Sequence, residues 1–193
     1  MNEQNNKNLL RQSSRALRNS FGEEFIEKKS FLVGEKLSKL DVFVNADTVL
    51  MYYPIKNELS PLPLFDLAQK MGKAVAFPLC NTENNTLIFK EVSDLSELNK
   101  SSFGLLEPTK SCKEASISQN TLCITPALLF SREGYRLGYG KGFYDKFLAE
   151  FIGISVGISF SSLVCDSLPK EDHDKKLDIL ITENEVIYFD KEN

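Results

Sequence analysis

The chain has 193 residues, 42% hydrophobic and 26% charged, the values of an ordinary globular protein that can bury a sizeable core. A formal net charge of -4 argues against a nucleic-acid binder held by bulk electrostatics. No apolar run is long enough to span a bilayer, and no apolar signal-peptide core follows Met1. Cys80, Cys112, Cys123 and Cys165 show no Cys-x-x-Cys spacing and there is a single histidine, so a zinc site is not expected. Reduced thiols in a cytoplasmic protein fit best.

In chain order, 6–20 reads as a basic amphipathic helix with Leu9, Leu10, Ala16 and Leu17 as a partial apolar face. A second helix is expected over 23–40, with Phe25, Ile26, Leu32, Val33 and Leu37 at helical spacing. A buried-type strand follows over 48–53, ending at Pro54. Residues 62–71 form a helix stopped by Gly72, and 75–78 the next strand. Alternation marks a strand over 87–92, and the polar stretch 94–100 a short turn. The strand 121–125 leads into a glycine loop, a helix covers 143–151, and a strand 152–159. Two short strands, 177–181 and 186–189, close the chain. Strands alternating with helices predict an α/β fold, a three-layer α/β/α sandwich with a mainly parallel, Rossmann-like central sheet. One domain over 1–193 is expected, its basic first helix packed on or near the site.

The most informative stretch is Arg136-Leu137-Gly138-Tyr139-Gly140-Lys141-Gly142-Phe143-Tyr144-Asp145. Alternating glycines let the backbone bend sharply and approach a ligand where a Cβ would collide. The helix that follows turns its free N–H groups and positive dipole end to the same place, and Asp145 lies in its first turn. Two cations, a helix start and one acid suit a polyphosphate. Neither the P-loop nor the dinucleotide fingerprint matches this spacing. The plainer alternative is a glycine-rich turn with solvated charges. Lys7, Arg11, Arg15 and Arg18 share a helical face, which is usually a solvated stripe and alternatively a nucleotide contact. Glu58 fits a helix-start charge before Pro61, or an acceptor for paired ligand donors. His173 reads as a loop residue rather than a catalytic base.

Pro126 and Phe130, followed by Gly134-Tyr135 and the loop above, resemble the signature of the 5-formyltetrahydrofolate cyclo-ligases, also called methenyltetrahydrofolate synthetases. The similarity runs nearly end to end, through Lys7-x-x-x-Arg11, Tyr53-Pro54 with Glu58, Gly72-Lys73, Glu107-Pro108, Leu168-Pro169, His173-Asp174 and Leu177-Asp178. The glycine loop is specific; the other pieces are weak singly but arrive in order.

The resemblance implies ATP-dependent cyclisation of 5-formyltetrahydrofolate, with or without a polyglutamate tail, to 5,10-methenyltetrahydrofolate, with release of ADP and phosphate. It implies an architecture like that of sugar-phosphate isomerases and CoA-transferases. Lys141 and Arg136 would be catalytic. Lys7, Arg11, the loop residues Arg136, Leu137, Gly138, Tyr139, Gly140, Lys141 and Gly142, and Tyr144 and Asp145 would hold ATP, although Tyr139 sits at a variable position with no individual role. Glu58, Tyr53, Phe143 and Tyr144 would face the folate, and Asp145 and Asp178 would bind Mg2+. Many members have two tyrosines before the aspartate, where this chain has Phe143-Tyr144. A monomer that binds neither nucleic acid nor membrane is expected. The alternatives are a folate- or nucleotide-binding module without turnover, and an ATP-independent enzyme of the same architecture acting on sugar phosphates or acyl-CoA.

Overall fold

The computed structural model describes residues 3–101 and 104–190. Its elements are α1 (Glu3–Asn19), α2 (Glu23–Ser38), α3 (Asp41–Val44), β1 (Thr48–Leu50), α4 (Phe65–Lys70), β2 (Ala74–Asn81), β3 (Thr86–Glu91), β4 (Asn99–Lys100), β5 (Leu106–Glu107), β6 (Thr121–Thr125), β7 (Leu129–Ser131), β8 (Arg136–Leu137), α5 (Phe143–Glu150), β9 (Ile154–Ile158), β10 (Val164–Cys165), β11 (Ile179–Ile181) and β12 (Val186–Tyr188). Seven strands form the main sheet in the order β12-β11-β9-β6-β1-β2-β3. The inner pairings are parallel. Both edge strands, β12 and β3, run antiparallel to their neighbours.

Period-two alternation sends successive side chains to opposite faces, and here both faces are covered. Val49, Val75, Phe77, Leu122, Ile124, Val156 and Ile179 join Val33, Leu37, Phe43, Phe65 and Ala68 from α2, α3 and α4 in the larger core. Leu50, Ala76 and Cys123 face the other way, against Phe143, Phe147 and Phe151 on and just after α5. That is the expected α/β/α layering.

The boundaries differ in instructive ways. The first strand keeps only three residues, although Met51 and Tyr52 stay buried beyond it. The helix at 62–71 splits into a 3-10 turn (Leu62–Leu64) and α4. The polar stretch after β3 becomes a 3-10 turn closed by a capping box between Asp94 and Glu97. The largest correction lies after β6, which does not lead straight into the glycine loop. The hairpin β7–β8 intervenes, and its strand β7 pairs with β10 in a small second sheet.

A glycine lets β9 lie against its neighbours. A Cβ on Gly153, just before β9, would stand 2.1 Å from the Thr121 carbonyl oxygen and 2.6 Å from the Phe151 ring. The first of these is backbone, which cannot swing away. Gly153→Ala should therefore cost about 1–3 kcal/mol or more in overpacking, measured as a lower urea midpoint at unchanged slope; an unmoved midpoint would contradict this packing.

Candidate active site

A cavity of about 500 Å³ opens at the carboxyl ends of β1, β2 and β6, where ligands sit in open parallel sheets. Tyr52 and Tyr53 reach it just after β1, Pro78 and Cys80 from the second half of β2, and Pro126 just after β6. Every residue from Arg136 to Asp145 lines it, as do Lys7, Arg11, Glu58, Glu107 and Asp174.

The first helix docks through its cationic stripe, and of the expected apolar face Leu10 packs on the core. Leu9 is 58% exposed and Leu17 40%, while Lys7, Ser14 and Arg18 are buried and Arg11 half-buried. The inward stripe is therefore polar and cationic, and each cation has a distant partner. The Lys7 ammonium lies 2.9 Å from Asp174 Oδ2 and 3.4 Å from Glu171 Oε1. Arg11 Nε donates to the Gly138 carbonyl at 3.0 Å. Arg18 donates to the Tyr139 hydroxyl, and its Nη1 lies 3.4 Å from Glu58 Oε1 and from the Ala127 carbonyl. Arg15 remains exposed, with its guanidinium 5.5 Å from the Tyr139 ring centroid.

The glycine loop fits beneath this helix. Gly140 has φ +95°, and a Cβ there would come within 3.3 Å of the Arg11 guanidinium carbon. Gly142 caps α5 in the left-handed region, φ 70°. Arg136, 3% exposed at its side chain, binds Asp145 Oδ1 at 2.8 Å and the Lys175 carbonyl at 3.2 Å. It thereby fixes Asp145 in the first turn of α5. Lys141 is exposed on the cavity wall.

At the other end of the cavity Glu58 is 6% exposed. Its Oε2 accepts from the Ile55 N–H at 3.0 Å, and its Oε1 from the Tyr139 hydroxyl at 2.7 Å. Burial pushes this carboxyl above its ordinary range, against the pull of the Ile55 N–H, Tyr139 and Arg18. The Tyr144 hydroxyl, in the same cavity wall, is buried with no hydrogen-bond partner among the described residues. Cys80 has its thiol pushed up to about 12, first by burial and then by Glu107, so it stays protonated.

Asp178 is outside the lining of this cavity, and its Oδ2 accepts from the Ser155 N–H and hydroxyl, both at 2.8 Å. That oxygen ties the start of β11 to β9. Tyr139 holds a place the sequence did not indicate, since its hydroxyl joins Arg18 to Glu58. Arg18 was legible only as one more cation on the stripe. Glu107 is buried in the cavity wall, with Oε1 3.3 Å from the Cys80 N–H.

The Lys7 partner has a pH signature. Burial pushes the Asp174 carboxyl up, but the Lys7 ammonium, the Glu171 N–H and the nearby His173 outweigh it and hold it below the ordinary range. A carboxyl depressed by folding adds stability above its unfolded pKa and loses it as the pH falls through the folded value. Asp174→Asn should thus destabilise the protein by about 1–3 kcal/mol near pH 7, with the gap closing below about pH 4. Urea unfolding across that range checks this; a constant gap would contradict it.

Comparison with known proteins agrees with this fold. The model of the 5-formyltetrahydrofolate cyclo-ligase family matches residues 3–183. The NMR structure of Aquifex aeolicus 5,10-methenyltetrahydrofolate synthetase superposes with a TM-score of 0.83 at 31% identity, over 97% of this chain and 94% of that one. A 5,10-methenyltetrahydrofolate synthetase from Mycoplasma pneumoniae superposes with a TM-score of 0.74 over 92% of this chain and 98% of that one; at 23% identity this likeness speaks for the fold alone. No curated protein matches the chain. With the family's model spanning the basic helix, the glycine loop and the sheet between them, the chain belongs to the 5-formyltetrahydrofolate cyclo-ligase family.

Proposed function

We propose that this cavity closes the ring of 5-formyltetrahydrofolate to 5,10-methenyltetrahydrofolate with ATP, the nucleotide lying along the glycine loop and the pterin against Glu58. The observation that carries this reading is the pairing of two unlike ends in one cavity. One end has a glycine loop, Lys141 and the start of α5; the other has a buried carboxylate with aromatic walls. The first suits phosphates, the second a flat ring with paired N–H donors.

The chemistry asks for placement more than for acid–base groups. The formyl oxygen attacks the γ-phosphorus, the bond to the bridging oxygen breaks and ADP departs. N10 of the same folate then attacks the activated carbon and gives up its proton. The C–O bond breaks, and phosphate leaves with the former formyl oxygen. Lys141 neutralises charge on the transferring group, and the Gly138, Gly140 and Gly142 amides surround it. Arg136 adds its charge from below and, through its ion pair, holds Asp145 at the helix start. Lys7 and Arg11 close the nucleotide side from α1. Tyr53, Phe143 and Tyr144 flank the folate. Phe143 offers only its ring, so stacking is kept and any contact that a tyrosine hydroxyl would make there is absent.

The residues fit a magnesium ion that arrives with the nucleotide. Among the described residues, no three histidine, cysteine or acidic side chains gather as a metal cage. Magnesium commonly takes one or two carboxylates plus phosphate oxygens; Asp145 is the carboxylate at hand. When bound, the ion would offset phosphate charge.

Near-ultraviolet absorbance of the purified protein with 5-formyltetrahydrofolate and magnesium, with and without ATP, tests the reaction. A methenyl chromophore that grows only with ATP is expected. Calorimetric binding without any chromophore would instead favour a non-catalytic module. Lys141→Ala should lower turnover about 10²–10³-fold while leaving the thermal midpoint in place, since Lys141 is exposed. Near-normal turnover would remove it from the chemistry.

A further inference from the structure

Tyr139 lies in the middle of the glycine loop, yet its hydroxyl reaches the folate end of the cavity. It donates to Glu58 Oε1 at 2.7 Å and accepts from Arg18 Nη2. Its half-buried ring has the guanidinium carbons of Arg15 and Arg18 at 5.5 and 5.7 Å from the centroid. The ring is thus held by two cations of α1 while its tip engages the buried carboxylate. From this geometry we propose that Tyr139 is a positioning residue for folate, a peg that keeps Glu58 ionised and aimed to receive the N–H donors of the pterin.

This rests on Glu58 as the pterin acceptor. An ionised carboxylate has about four lone-pair positions, and the protein fills part of them through Tyr139, Arg18 and the Ile55 N–H. Those three donors come from three separate segments, so the carboxylate cannot rotate away without breaking one. Burial already favours the neutral acid. The other titratable groups facing Glu58 are the phenols of Tyr52 and Tyr144, both pushed well above their ordinary value first by burial, so both stay neutral beside it. Without the Tyr139 donor the balance tips toward a protonated Glu58. Protonation turns one of the two oxygens into a donor, so the carboxyl no longer receives a pair of N–H groups as a charged, bidentate acceptor.

Tyr139→Phe separates this role from a structural one, because the ring and its cation contacts remain. Titration calorimetry with 5-formyltetrahydrofolate, without ATP, should give an affinity lowered by about tenfold or more near pH 7, the loss of a hydrogen bond to a charged group. The deficit should shrink as the pH is raised and Glu58 ionises again. The KM for ATP and the thermal midpoint should stay near those of the parent chain. Equal folate affinity in the two proteins would overturn the proposal, as would a matching rise in the KM for ATP, which would make Tyr139 a support of the phosphate loop. If the parent chain binds no folate at any pH, the folate reading of Glu58 falls, and this role for Tyr139 falls with it.

Discussion

The arrangement turns on the burial of a cationic stripe of α1 against the glycine loop and the cavity. Lys7, Arg11, Ser14 and Arg18 recur at intervals of four, three and four residues, the spacing at which a helix normally buries leucines. An unpaired charge taken out of water costs several kcal/mol, so such a stripe docks only where acceptors are waiting. The fold supplies Asp174, the Gly138 carbonyl, the Tyr139 hydroxyl and Glu58. All are remote in sequence, and all border the cavity. Docking the helix and finishing the site are therefore one event.

This contact also explains the shape of the loop. Arg11 lies so close over Gly140 that a side chain there would press on the guanidinium, and the positive φ already excludes most residues. Underneath, Arg136 fixes Asp145 to the start of α5. The loop is held from above and below by arginines, and Lys141 stands between these anchors at the exposed edge. Rigid supports around one long, adaptable cation suit a step in which charge moves along a phosphate chain.

Much of the fold was legible because its signals are local. The strand β6 has the predicted bounds, since every one of its five residues is buried and Asn120 and Pro126 border it. The helix after the glycine loop starts where the sequence says, at the left-handed Gly142. The hairpin β7–β8 was not legible, because strands of three and two residues carry no periodicity. For the cationic face of α1 the sequence left a solvated stripe and a ligand contact both open. Amphipathicity assigns the apolar side inward, and it fails where distant carboxylates and carbonyls pair with the cations. The same distance hides Tyr139: Glu58 is 81 residues away and Arg18 is 121. Asp178 shows the converse, a carboxylate in the expected motif whose oxygen is engaged by its neighbour in the sheet, Ser155.

Hydrogen exchange across α1 tests this dependence most directly, in a chain carrying Arg11→Met and Arg18→Met. Methionine keeps the apolar reach of arginine and removes its donors and charge. If polar contacts hold the helix, the α1 amides should exchange at least about tenfold faster, as loss of charge-assisted hydrogen bonds implies, while β6 and β9 keep their protection. Unchanged or slower exchange of α1 would mean that apolar packing holds it, and would contradict the account.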